Sequence, residues 1–121
     1  MIKPFSHYFT VFACLCLLVA GVDVFAAEPT AKGLAFFEKK IRPVLVEHCY
    51  KCHSASSEKV KGGLLLDTRE GIRKGGESGH AVVPKNLDES LLIEAIRYRD
   101  EDLEMPPKEK LPASIIADFE K

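Results

Sequence analysis

The sequence has no tryptophan and only two methionines. Of its four cysteines, Cys14 and Cys16 fall within the first 16 residues. Neither sign of charge dominates: 17 Lys plus Arg stand against 18 Asp plus Glu, a net charge of −1. That balance excludes the basic excess of a nucleic-acid binder and describes an ordinary solvated surface. A membrane-length hydrophobic run is also missing. The apolar stretch from Tyr8 to Val22 is about 15 residues, short of the roughly 20 that a spanning helix requires. There is no internal repeat and no low-complexity tract.

What the N-terminus does contain is the layout of a secretory signal peptide. Lys3 supplies a small positive start, the apolar run follows, and Val24-Phe25-Ala26 offers small or compact residues before a cut at Ala27. Residues 1–26 are therefore expected to be a cleaved signal peptide, 27–32 a linker, and 33–121 a single domain, exported to the periplasm and with no membrane span after cleavage. A lipid-anchored reading of Cys14 fits poorly, because Phe12 is bulky and most of the apolar run follows the cysteine. Removing residues 1–26 leaves 95 residues, with Cys49 and Cys52 as the remaining cysteines and Met105 as the remaining methionine. Lys3 and Asp23 leave together, so the net charge stays at −1. A domain of this size without tryptophan has a marginal core and gains from a bound group. A disulfide between two cysteines so close in sequence closes too small a loop to brace a fold.

The mature chain reads as helical. Leu34, Phe37, Ile41, Leu45 and His48 recur at spacings of three and four from Gly33 onward, one face of a helix. Pro43 is expected to kink that helix near Arg42. Asp67 or Thr68 caps a short helix through Lys74, which Gly75-Gly76 stops. Asp88 or Ser90 caps a helix of about ten residues with Leu92, Ile93, Ile96 and Tyr98 as its apolar content. Residues 77–87 and 100–110 read as loops. Pro112 suits the first turn of a last helix whose apolar face is Ile115, Ile116 and Phe119.

The chemistry concentrates in "EHCYKCHS", residues 47–54. C-x-x-C-H is the attachment motif of a c-type haem. Two thiols at this spacing can each add to one of the two vinyl groups on one porphyrin edge. The histidine that follows reaches the iron beneath. Cys49 and Cys52 are thus the covalent anchors and His53 the axial ligand. Zinc would need four tetrahedral donors. His48, Cys49, Cys52 and His53 include adjacent residues that point about 100° apart on a helix, and no second C-x-x-C completes a pair. A thioredoxin-like motif expects a βαβ setting that this chain does not offer. For the sixth position Met105 is the first candidate, being the one thioether in the mature chain, and Pro106-Pro107 restrict its loop. His80 is the second candidate, and an unfilled position is the third. His48 reads as a surface residue. His/Met ligation raises the reduction potential and belongs to electron carriers.

Residues 36–119 resemble the planctomycete-type cytochrome c domain. The resemblance rests on "FFEKKIRPVLVEHCYKCHS", "KGGLLLDTREGIRKGGESG", "VVP", "DESLLIEAIRY" and "MPPKEKLP". It implies an all-α, small cytochrome c-like fold of three to four helices around one covalently bound haem c per chain, here with its last helix truncated. It also implies haem on Cys49 and Cys52, with His53 and Met105 on the iron, and export in a planctomycete-like bacterium. The chain departs from the family pattern at His80, where proline is common. Such domains usually open much longer proteins. The expected function is electron transfer by a monohaem carrier that is not itself an enzyme and serves a redox partner protein. The alternatives are a haem-based sensor with an open sixth site, and a haem accessory module of a larger enzyme system.

Overall fold

The computed structural model describes residues 28–121. The expected signal peptide lies outside the described residues. No helix among the described residues is long and apolar enough to cross a membrane.

The first helical body starts at Ala31, because the Thr30 hydroxyl accepts from the Gly33 N–H at 3.1 Å and so satisfies one of the free donors of the first turn. Ala31 and Lys32, expected in the linker, are therefore helical. Helix α1 (Ala31–Phe36) runs through a π-helical turn (Phe37–Ile41) into α2 (Arg42–His48) without leaving the helical region. The π turn stands where the sequence predicts a kink. Pro43 has no N–H to give, and its ring would press on the Lys39 carbonyl in a regular helix. The wider turn, in which the Arg42 N–H reaches back to the Phe37 carbonyl, relieves that conflict. Leu45 is buried at 1 % exposure, but Leu34, expected on the same face, is 50 % exposed. Phe37, Ile41 and Leu45 of the expected face do share one cluster, while its two ends, Leu34 and His48, are exposed.

Helix α3 (Arg69–Lys74) is capped by Thr68, whose hydroxyl accepts from the Gly71 N–H, and it stops at Gly75 with φ of 78°. Helix α4 (Leu91–Arg97) is shorter than the ten residues expected, since Tyr98 adopts a left-handed conformation and ends it. Ser90 precedes α4, but its hydroxyl does not cap the helix. It ties the preceding loop, donating to the Asn86 carbonyl at 2.6 Å and accepting from the Val83 N–H at 2.9 Å. Helix α5 (Ala113–Phe119) follows Pro112. Two short 3₁₀ turns, Lys61–Gly63 and Glu101–Leu103, sit in the connecting loops. With α1 and α2 taken as one body, the described chain is a four-helix, all-α fold; its only β pairing is two isolated bridges, Gly76 to Gly79 and Val83 to Asn86.

Two apolar clusters hold these pieces. One gathers Val44, Ile93, Ile96, Leu111 and Ile116 between α2, α4 and α5. The other gathers Leu45, Leu66 and Ala81, with Phe37, Ile41 and Cys49 packed against them. Phe119 and Leu92 touch both clusters. The last helix therefore closes onto the first helical body and onto α4. A half-buried ion pair, Arg97 Nε to Glu120 Oε1 at 2.7 Å, fastens that end.

Candidate functional site

The motif begins where α2 ends. Cys49 caps α2, and its N–H donates to the Leu45 carbonyl. The next turns are closed by the Cys52 and His53 N–H groups, which both donate to the Cys49 carbonyl at 3.1 and 3.0 Å. Ser54 then secures the far side. It is 2 % exposed, its hydroxyl donates to the Tyr50 carbonyl at 2.7 Å, and Ser57 donates to the same carbonyl at 3.0 Å. The polar run after the motif is thus a knot of hydroxyls around the buried Ser54 that fixes the turn carrying both thiols. Its sequence signal was the repeated serine, Ser54, Ser56 and Ser57.

A cavity of about 390 Å³ opens beside this turn, within the range of about 300–1,000 Å³ usual for small-molecule and cofactor sites. Cys49, Cys52, His53 and Met105 all line it. Most of the remaining wall is apolar, with Leu64, Leu66, Ala81, Leu92, Ala95 and Ile96 prominent. His48 is exposed and reaches the cavity from its rim. His80 is exposed and lies outside the lining, although Gly79 and Ala81 on either side belong to it.

Backbone bonds stitch the wall together segment by segment. Lys61 donates to Cys52, Leu66 to His53, Glu77 to Gly62, Leu92 to Ala81, and Met105 to Ala95, at 2.8 to 3.1 Å. The bond to Ala95 brings Met105 to the cavity from a loop more than fifty residues past the thiols. The Tyr98 hydroxyl donates to the carbonyl of Pro106, the residue after Met105. Partial burial first, then the Glu104 and Glu109 charges, push the Tyr98 hydroxyl above its ordinary pKa, which keeps its proton in place for that bond.

The donor set fits a covalently held haem. Both thiols are free and half-buried on the cavity. Burial pushes the Cys49 thiol up to about 11, since an apolar wall disfavours the thiolate. His53 Nδ1 is buried with no hydrogen-bond partner. An orphaned buried polar atom costs about 1–3 kcal/mol, a cost that suits a ring held ready for a metal. An apolar slot with the His53 imidazole and the Met105 thioether in its wall, and His48 at its rim, suits the chemistry of a c-type haem with His/Met ligation. Among the described residues no group of three or more His, Cys, Asp or Glu could hold a metal ion, so the four donors of "HCYKCH" do not converge as a zinc site would require.

The sequence did not identify the rest of the lining. Leu64, Leu66, Leu92 and Ile96 show up in the sequence as apolar residues, and an apolar residue gives the same signal whether it faces protein or a cofactor. The sequence predicts Tyr98 among the apolar content of α4, whereas it leaves the helix as its left-handed C-cap.

A family model described as "Planctomycete cytochrome C" matches residues 49–109 of the 121, half of the chain. The match opens at Cys49 and takes in every segment of the stitched wall through Met105. No curated protein and no solved structure matches the chain.

Proposed function

The chain belongs to the planctomycete cytochrome C family, and from that premise we propose that it is an exported monohaem electron carrier with His53 and Met105 as axial ligands. Family membership makes it a c-type cytochrome, whose cofactor is covalently bound haem c. The single observation that supports the finer reading is the one cavity lined by both thiols, the imidazole and the thioether. When bound, the haem iron supplies a one-electron couple. The residues supply the rest. Cys49 and Cys52 would each add S–H across a vinyl C=C, sulfur to one carbon and hydrogen to the other, and so become thioethers. His53 would offer a ring nitrogen, and Met105 a soft sulfur that favours the reduced state. The apolar wall excludes water and lowers the local dielectric, which also raises the potential. The protein serves as a relay for a redox partner and is not itself an enzyme.

The test is the visible spectrum of the mature protein, produced with haem-attachment machinery, oxidised and then reduced, with and without carbon monoxide. Haem staining of a denaturing gel accompanies it. The expected result is covalent haem, a low-spin reduced spectrum and no prompt shift with carbon monoxide. In Met105→Ala carbon monoxide should bind at once, and the reduction potential should fall. A Met105→Ala protein with an unchanged spectrum and potential would sink the methionine assignment. A prompt carbon monoxide shift in the unaltered protein would favour an open-site sensor instead.

A further inference from the structure

Met105 is bracketed on both sides. Its own N–H donates to the Ala95 carbonyl at 3.1 Å, and the same carbonyl accepts from the Tyr98 N–H at 3.2 Å. On the other side, the carbonyl of Pro106 accepts from the Tyr98 hydroxyl. One residue, Tyr98, therefore shares the anchor behind Met105 and also supplies the clamp in front of it. Tyr98 is one of two non-glycine residues with positive φ among the described residues, at 55°, a conformation unfavourable for a bulky side chain. A strained residue persists where its surroundings hold it. Here the surroundings are the hydroxyl bond and the Lys110 ammonium, 5.7 Å from the ring centroid. Tyr98 is only partly exposed and does not line the cavity, so it does not touch a bound group.

We infer that Tyr98 is a positioning residue for the sixth ligand: its hydroxyl, through the Pro106 carbonyl, holds the Met105 loop closed and sets how readily the thioether yields to a competing ligand. This rests on the proposed Met105 ligation. Removing the hydroxyl loosens the loop and raises the population in which the sulfur has withdrawn. The apparent affinity for a competitor scales with that population.

The experiment titrates imidazole into the oxidised holoprotein and follows the visible spectrum for four forms: unaltered, Tyr98→Phe, Met105→Ala and the double variant. Phenylalanine keeps the ring and removes only the hydroxyl. Loss of one ordinary hydrogen bond predicts imidazole binding about fivefold tighter in Tyr98→Phe. Met105→Ala should bind imidazole more tightly still. Adding Tyr98→Phe to Met105→Ala should change nothing further, because the residue acts through the methionine. A double variant with the same affinity as Met105→Ala also shows that the substitution leaves the cavity intact. Unchanged affinity in Tyr98→Phe, or an equal gain in both backgrounds, would overturn the inference. An unchanged Met105→Ala would instead overturn the ligation reading on which it rests.

Discussion

Cys49 shows how one residue's surroundings govern its chemistry. Its thiol packs against the Leu45, Leu66 and Ala81 cluster, and burial lifts its pKa from the ordinary 9.0 to about 11. The thiolate is the reactive form, so before haem attachment Cys49 should alkylate slowly at pH 8 and speed up only as the pH nears 11. Peptide mass spectrometry after timed iodoacetamide treatment at stepped pH checks this. A rate at pH 8 equal to that of a free thiol would refute the buried environment. The same shift has a stability consequence. The folded form prefers the neutral thiol, so haem-free stability is fully present below about pH 9 and is lost as the pH rises toward 11. His53, four residues on, was legible from its place in C-x-x-C-H. Its orphaned Nδ1 was not, because partners are set by the fold.

At the scale of elements, short-range signals were the most legible. Thr68 and Gly75 bracket α3 as cap and stop, and Pro112 opens α5, because these residues act on their own backbone. The π turn was not legible. Pro43 announced a break, but which turn absorbed it depended on packing of Phe37 and Ile41 against Phe119 and the Leu45 cluster. Tyr98 escaped for the same reason: its helical spacing fitted α4, while a tertiary bond to Pro106 drew it into the left-handed region. Gly75 allows a prediction here. A methyl group placed on it would lie 2.1 Å from the Gly79 carbonyl oxygen, at a φ of 78°. The turn from Gly76 to Gly79 supplies cavity wall at both ends. Gly75→Ala should therefore destabilise the holoprotein by more than about 1 kcal/mol and lower the yield of haem-stained protein. Urea unfolding and the gel check both, and wild-type values in each would show that the turn can shift without cost.

For the molecule as a whole, the buried apolar residues number nine among those described, three of them alanine or valine. A mostly apolar cavity of about 390 Å³ opens beside them. The architecture thus places part of its interior where a cofactor sits, and a ligand that binds only the folded state stabilises it. Cys49→Ser/Cys52→Ser, which cannot form thioethers, should retain no haem on a denaturing gel and should melt at least about 10 °C below the holoprotein, since each kcal/mol moves the midpoint by several degrees in a domain this small. Equal melting temperatures would mean that protein packing alone sustains the fold. The all-α class and the motif residues could be read in advance because each depends on a few neighbouring positions. The cavity's shape could not, since it is built from residues scattered between His48 and Pro107.

The stitches around that cavity join Cys52 to Lys61, His53 to Leu66, Gly62 to Glu77, Ala81 to Leu92, and Ala95 to Met105, none of them more than fifteen residues apart. Loops this short are quick and entropically inexpensive to close. The wall can therefore take shape in order along the chain as residues emerge, each segment laid beside the one just formed. The longer closures are those that cluster Val44 of α2 with Ile93 and Ile96 of α4, and that bring α5 onto the first helical body. The seams of the receptacle therefore cost little chain entropy to close, and the packing of helices distant in sequence carries the greater share of that cost.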